Sequence, residues 1–210
     1  MHNILVINSS SGGEESVSRH LVDAAVMQLK SAHPQAKIVR RDLAADPIPH
    51  LTTATLAGVR GTPITAVEQA ARALSDELIA ELRAADLIVI GVPMYNFSVP
   101  TVLRSWLDHV LRSGETFSYS EAGPKGLLEG KRVIVIESRG GLYSEGPAMV
   151  MDFQEPYLRH LLGFIGLTDV TFVRAEKTGF GPDARNAAIE AAEGELARLT
   201  RAGPAAAAAA

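Results

Sequence analysis

The sequence of 210 residues contains no cysteine, and only 5% of its residues are aromatic. The absence of cysteine excludes disulfides, thiolate catalysis, iron–sulfur clusters and cysteine-based zinc sites. The formal net charge of −4 argues against a dedicated nucleic-acid binder, because neutralising phosphates requires a basic surface. No apolar run approaches the roughly 18 residues of a membrane-spanning helix. Any chemistry must therefore rely on other side chains or on a bound cofactor.

The two ends of the chain indicate neither a targeting segment nor a second domain. Met1–Asn3 leads directly into the apolar run Ile4–Ile7, which is shorter than the apolar region of a signal peptide. We therefore expect a cytoplasmic protein with a single domain over residues 1–202. Residues 203–210, Gly-Pro followed by alanines, are low in complexity and are expected to form a terminal tail.

Short apolar runs alternate with helical patterns along the chain. Runs rich in Val, Ile and Leu predict buried strands, and the weaker second run predicts an edge strand. The predicted strands are Ile4–Ile7, Lys37–Val39, Leu87–Ile90, Val133–Ile136 and Val170–Val173. Apolar residues at helical spacing predict helices over Ser18–Leu29, Val67–Ala84, Thr101–Leu111, Tyr157–Ile165 and Ala187–Leu199. The alternation predicts an α/β fold, a flavodoxin-like doubly wound parallel sheet of five strands in the order 2-1-3-4-5, with helices on both faces.

The loop after the first strand has the composition of a phosphate-binding loop. Ligands of such sheets bind at the carboxyl ends of the strands, near the reversal of strand order. The segment Asn8–Ser18 lies there, is rich in serine and glycine, and runs into a predicted helix N-terminus. Serine hydroxyls, free backbone N–H groups and the positive helix end can hold a phosphate without lysine or arginine. The same composition is also typical of an ordinary turn capped by Ser16 or Ser18.

Two more unusual loops follow the third and fourth predicted strands. Pro93–Pro100 places two aromatic residues, a methionine and an amide between prolines that restrict the backbone. Such a loop can lie along a flat ring, or it can pack on its own helix. In Glu137–Tyr143, paired glycines allow a close backbone approach. Arg139 can pair with a phosphate or a ring carbonyl, or form an ion pair with Glu137 or Glu145.

No other motif indicates a catalytic centre. Gly179–Ala184 spells G-x-G-x-x-A, but no strand follows the next predicted helix, and Pro182 is better explained as the first residue of that helix. The six histidines show no metal-ligand spacing, and the sequence offers no hydrolase triad. We therefore expect no metal site and no catalytic side chain.

The sequence resembles the FMN-dependent NADH azoreductases and NAD(P)H quinone oxidoreductases of the flavodoxin-like superfamily. The resemblance extends from Ile4 to about Pro182 and is most specific at Met94–Phe97 and Ser138–Gly141. It implies that three groups of residues bind FMN. The phosphate is bound by Ser9, Ser16, Val17 and Ser18, and the ribityl chain and ring are lined by Pro93, Met94, Tyr95, Asn96 and Phe97. The pyrimidine side of the ring is contacted by Ser138, Arg139, Gly140 and Gly141. Val17 stands where glutamine is frequent in the family, a change that retains the backbone donors.

The resemblance also implies a homodimer with its flavin sites at the subunit interface, and a substrate position lined by Tyr119 and Phe164. The flavin would carry the chemistry by taking a hydride from NADH or NADPH and then reducing a quinone or azo compound in ping-pong fashion. Arg60 is the only basic residue that we name for the 2′-phosphate of NADPH. No nucleic-acid or membrane partner is expected. The alternative is a flavodoxin-like electron carrier or FMN-binding module without turnover of small substrates, a class that often has a strongly acidic docking face.

Overall fold

A computed structural model describes residues 1–121 and 123–201. The strands in this part of the chain are β1 (Asn3–Asn8), β2 (Lys37–Asp42), β3 (Leu87–Pro93), β4 (Phe117–Ser120), β5 (Gly123–Gly126), β6 (Arg132–Ser138) and β7 (Asp169–Ala175). Five of them form a parallel sheet in the order β2-β1-β3-β6-β7, whereas β4 and β5 pair separately as an antiparallel hairpin. Numbered within the sheet, this is the order 2-1-3-4-5, so the predicted fold is confirmed, with β2 at an edge. The predicted tail over residues 203–210 lies outside the described residues.

The α-helices of the described residues are α1 (Val17–Ala32), α2 (Leu56–Arg60), α3 (Ala66–Ala84), α4 (Thr101–Val110), α5 (Glu155–Phe164) and α6 (Pro182–Arg201). All of the predicted helices correspond to members of this set, and α6 begins at Pro182 as expected. The sequence does not predict α2, which is too short to show a period, or the hairpin, whose second strand reads Gly-Pro-Lys-Gly. No helix among the described residues is long and apolar enough to cross a bilayer.

Helices cover both faces of the sheet, which explains why its central strands are almost continuously apolar. On one face, α1 and α6 pack through residues such as Leu21, Val26 and Leu196. On the other face, α3, α4 and α5 pack through a second cluster that includes Trp106 and Leu162. Polar side chains therefore lie mainly at the edges of the sheet. The loops with unusual sequences lie at the edge formed by the carboxyl ends of the strands.

A buried pair of a carboxyl group and a guanidinium lies at the carboxyl end of β6. The side chains of Glu137 and Arg139 are fully buried, and Glu137 Oε2 lies 2.6 Å from Arg139 Nη2. Arg139 also contacts the carboxylates of Asp152 at 3.1 Å, Glu176 at 3.3 Å and Glu155 at 3.6 Å. Loss of water outweighs the attraction of Arg139 and raises the pKa of Glu137 to about 8. Glu137 therefore gains its charge in the folded protein only at alkaline pH.

The stability of the protein should fall as pH rises through the neutral range. The folded state holds the Glu137 proton up to about pH 8, whereas the unfolded chain releases it near pH 4.5, so each pH unit between them removes up to about 1.4 kcal/mol. We expect Glu137→Gln, whose amide can still accept from Arg139, to remove this dependence. Denaturant titrations at pH 5.5, 7 and 8.5 would measure it. A difference in unfolding free energy between wild type and variant that stays constant with pH would contradict this expectation.

The β4–β5 hairpin packs backbone against backbone on the turn between α5 and β7. A methyl group on Gly126 would overlap the backbone of Ile165 and Gly166. The N–H of Leu128 donates to the Ile165 carbonyl at 2.9 Å and fixes the same contact. The absence of a side chain at Gly126 therefore sets the position of the hairpin, including the exposed Tyr119.

Gly126→Ala should lower the free energy of unfolding by about 1–3 kcal/mol, because the added methyl group forces the two backbones apart. Gly163→Ala is a matched control, since Gly163 lies in α5 with open space around its Cα. An alanine there should be neutral or stabilise the helix by up to about 1 kcal/mol. Urea denaturation of both variants would test the contact, and equal stabilities would rule it out.

Candidate functional site

Three loops meet at the carboxyl edge of the sheet: a first loop (Ser9–Ser18), a second loop (Pro93–Phe97) and a third loop (Ser138–Gly141). The N–H of Met94 in the second loop donates to the carbonyl of Ser138 in the third at 2.8 Å. The N–H of Ser11 in the first loop donates to the hydroxyl of Tyr95 in the second at 3.1 Å. The structure thus brings together the segments that the sequence singles out as the binding region.

The first loop ends as the N-terminus of α1, with Ser16 as the N-cap. The Ser16 hydroxyl accepts from the N–H of Arg19 at 3.2 Å and lies 3.3 Å from the hydroxyl of Ser18. The N–H groups of Val17 and Ser18 belong to the first helical turn, which has no acceptor within the helix. Together with the positive helix end, these hydroxyl and amide donors form the set that an anionic phosphate requires.

The two adjacent serines of the first loop have different roles. Ser9 is fully buried, and its hydroxyl donates to the Gly91 carbonyl at 2.7 Å, so it fastens the loop to β3. The hydroxyl of Ser10 accepts from the N–H of Gly12 at 3.2 Å and lies 3.4 Å from the hydroxyl of Tyr95. The hydroxyl that faces the second loop is therefore that of Ser10, and the binding of phosphate by Ser9 stays a prediction. Neighbouring side chains in extended backbone point in opposite directions, and the sequence does not reveal which of two serines points inward.

Two arginines from α1 and α6 hold the first loop from outside. Arg19 forms an ion pair with Asp42 at 2.6 Å, which lowers the pKa of that carboxyl group, and its Nη2 donates to the Ser10 carbonyl at 3.4 Å. Arg185 donates to the carbonyl of Glu15 at 3.1 Å. The predicted phosphate site is therefore flanked by guanidinium groups that the sequence of the loop itself does not contain.

The second loop has a strained backbone and exposed aromatic rings. Asn96 and Phe97 have φ angles of 48° and 70°, in the left-handed region that non-glycine residues seldom adopt. Tyr95 and Ser98 exchange backbone hydrogen bonds at 2.9 and 3.1 Å around this turn. The side chains of Tyr95 and Phe97 are 38% and 43% exposed, so the loop presents its rings outward and does not pack them on α4. Strain of this kind is concentrated at ligand sites, where the surrounding structure maintains it.

The third loop offers backbone donors, whereas its arginine is used internally. The N–H of Arg139 donates to the Ala175 carbonyl at 2.9 Å, and its guanidinium lies in the buried cluster described above. Of the two interpretations of Arg139, the structure shows the contact with Glu137, and the contact of this side chain with a cofactor stays a prediction. The N–H groups of Gly140 and Gly141 donate to no acceptor within residues 1–121 and 123–201, so they remain available.

The two predicted substrate-lining aromatics both pack against the ring of Phe117. Tyr119, on the hairpin, meets the ring of Phe117 at 5.5 Å between centroids, and Phe164 meets the same ring at 4.6 Å. In the described part of the chain, neither shares a hydrogen bond or an aromatic pair with the loops. Arg60, named for a 2′-phosphate, donates instead to two carbonyls at the carboxyl end of α4, at 2.7 and 3.1 Å.

The chain matches known proteins along nearly its full length. The family model described as "Flavodoxin-like fold" matches residues 2–199. The FMN-dependent NADH:quinone oxidoreductase of Hyphomonas neptunium is 68% identical over 201 residues, which cover 96% of this chain and 97% of that protein.

Solved structures show the same likeness. An azoreductase from Bacillus anthracis superposes with a TM-score of 0.88 at 31% identity, over 96% of this chain and 99% of that one. An FMN-dependent NADH-azoreductase from Bacillus anthracis, solved in complex with FMN, superposes with a TM-score of 0.85 at 26% identity, over 95% of this chain and 100% of that one. The chain therefore belongs to the flavodoxin-like family that includes the FMN-dependent NADH:quinone oxidoreductases and azoreductases.

Proposed function

We propose that this chain is an FMN-dependent NADH oxidoreductase that reduces quinones and azo compounds. The observation that carries the proposal is the convergence of three loops that combine phosphate donors, exposed rings and free backbone N–H groups. The relative from Hyphomonas neptunium bears the name of this activity, and a Bacillus anthracis relative of the same fold was solved with FMN.

The donor set of the site fits FMN without any further element. The first loop would hold the phosphate through Ser10, Ser16 and the amides of Val17 and Ser18. The second loop would line the ribityl chain and the ring through Met94–Phe97, and the third loop would donate to the ring through its backbone. When bound, FMN supplies the hydride and electron transfer that no side chain of the site offers. The protein's residues bind and orient the cofactor and exclude water from its ring.

A reductase explains the site better than an electron carrier does. The aromatic residues Tyr95 and Phe97 are exposed at the site, which suits contact with a flat aromatic acceptor. A net charge of −4 is mild for a protein that docks by an acidic face. The relatives are named for NADH, and the guanidinium of Arg60 is occupied by backbone carbonyls, so we propose NADH as the donor.

We also propose that the protein is a homodimer whose interface covers the flavin site. Apolar side chains are exposed in the segments that follow the third loop and β7: Val150 is 80% exposed, Phe153 62% and Phe180 66%. Phe153 and Phe180 lie next to the second and third loops in the backbone hydrogen-bond network, so the surface is continuous with the site. Exposed patches of this kind mark interaction surfaces. A second copy would also bring a hairpin with its Tyr119, 71% exposed, to the neighbouring site.

The purified apoprotein should bind FMN and then oxidise NADH when a benzoquinone is supplied. Riboflavin, which lacks the phosphate, is the matched control ligand and should bind at least about a hundredfold more weakly, because the first loop provides charge-assisted bonds to the phosphate. Quenching of flavin fluorescence measures both affinities. No FMN binding would refute the proposed function, and FMN binding without NADH oxidation would favour the electron carrier.

Val150→Glu should convert the dimer to monomers by burying a charge in the interface. Met27→Glu is the matched control, since Met27 is 72% exposed on α1, away from the three loops, and this variant should remain dimeric. Sedimentation velocity distinguishes the two species. A wild-type monomer, or two variants with the same assembly state, would refute the proposed interface.

A further inference from the structure

The start of α5 contains a buried glutamine that contacts the ends of two strands. Gln154 is fully buried, and its Nε2 donates to the carbonyl of Val92 in β3 at 3.0 Å. Its Oε1 accepts from Nε of Arg139, directly after β6, at 2.9 Å. The side chain at this position must donate a hydrogen bond to Val92 and accept one from Arg139. The amide of glutamine can do both, whereas an apolar side chain of the same length can do neither.

The neighbours of Gln154 are bonded to the second loop as well. The N–H of Phe153 donates to the carbonyl of Phe97 at 3.0 Å, and the hydroxyl of Ser98 donates to the Phe153 carbonyl at 3.3 Å. Phe97 is one of three non-glycine residues with a left-handed backbone among the described residues, so these bonds stabilise a conformation that is unfavourable by itself. The start of α5 therefore maintains the strained turn that faces the site.

The neighbours of Arg139 leave it little freedom. Its guanidinium lies among the carboxylates of Glu137, Asp152, Glu155 and Glu176, and its own N–H is bonded to β7. Because Arg139 is fixed, its bond to Gln154 fixes α5 relative to the third loop. The bond from Gln154 to Val92 then fixes the second loop relative to the third.

We propose that Gln154 is a positioning residue that ties the start of α5, and with it the strained turn of the second loop, to the third loop, although it does not touch the site. The proposal rests on the FMN-binding function proposed above. Its chemical basis is one buried amide that joins the chain ends of β3 and β6 through hydrogen bonds to Val92 and Arg139. A residue that only filled space in the core would not link these two loops to each other.

Gln154→Met tests the role, because it keeps the length of the side chain and removes both hydrogen bonds. In the apoprotein, amide hydrogen exchange should accelerate in residues 94–98 and in residues 138–142, and should stay unchanged in α1. Gln35→Met, at an exposed turn before β2, is the matched control and should change none of these segments. Acceleration spread evenly over the chain, or confined to one loop, would overturn the proposal.

A second measurement follows the cofactor. The dissociation constant of FMN should rise about tenfold or more in Gln154→Met, the equivalent of losing one or two buried hydrogen bonds, and should not change in Gln35→Met. If Gln154→Met does not fold, Gln154→Asn replaces it, because it keeps the buried amide but is one methylene group too short to form both hydrogen bonds at their present lengths. Unchanged FMN affinity in the folded variant overturns the positioning role alone. A wild-type protein that binds no FMN refutes the proposed function, and the exchange experiment on the apoprotein still decides whether Gln154 links the loops.

Discussion

Parallel pairing of the strands is the constraint on which the site depends. In register, Asn8 of β1 lies opposite Gly91 of β3, and Pro93 of β3 lies opposite Ser138 of β6. Loops from three distant parts of the chain therefore start at the same edge. The crossover helices return in the opposite direction, so the N-terminus of α1 also lies at that edge. Phosphate affinity and aromatic surface are brought together by the topology before any particular contact is formed.

The same edge holds the least favourable features of the structure. Asn96 and Phe97 have left-handed backbone conformations there, and the buried pair of Glu137 and Arg139 lies where β6 continues into the third loop. Each of these features destabilises the fold by itself. They persist because the start of α5 satisfies them together, through Phe153 for the strained turn and through Gln154 for the arginine. Hydrogen bonds and ion pairs thus hold the loops at this edge in place, whereas the two apolar clusters on either face of the sheet stabilise the fold as a whole.

Periodic features of the sequence determine how much can be predicted. The five sheet strands and the long helices show clear apolar patterns, and the three loops stand out because they interrupt those patterns. The short helix α2 and the hairpin carry no such period, so they are not predicted. Whether Ser9 or Ser10 turns its hydroxyl toward the second loop depends on the direction of each side chain, which the sequence does not show. Whether Arg139 pairs with a carboxylate or with a ligand depends on partners that lie elsewhere in the chain. Gln154 shows no signal at all, because its partners are 62 and 15 residues away and its neighbours in sequence form no motif.

The absence of cysteine fits a site whose proposed reaction is carried by a bound cofactor. When a bound cofactor carries the reaction, side chains cannot compensate for a misplaced ring by offering their own acid, base or nucleophile. Reactivity then depends on where the loops hold the ring, and a displacement of about 1 Å is enough to reduce a transfer rate by about a hundredfold. In a protein of this kind, we therefore expect buried polar groups to hold the loops in place, as the hydrogen bonds and ion pairs around Arg139 do. The positioning role proposed for Gln154 is of this kind, because its amide joins two loops without belonging to either.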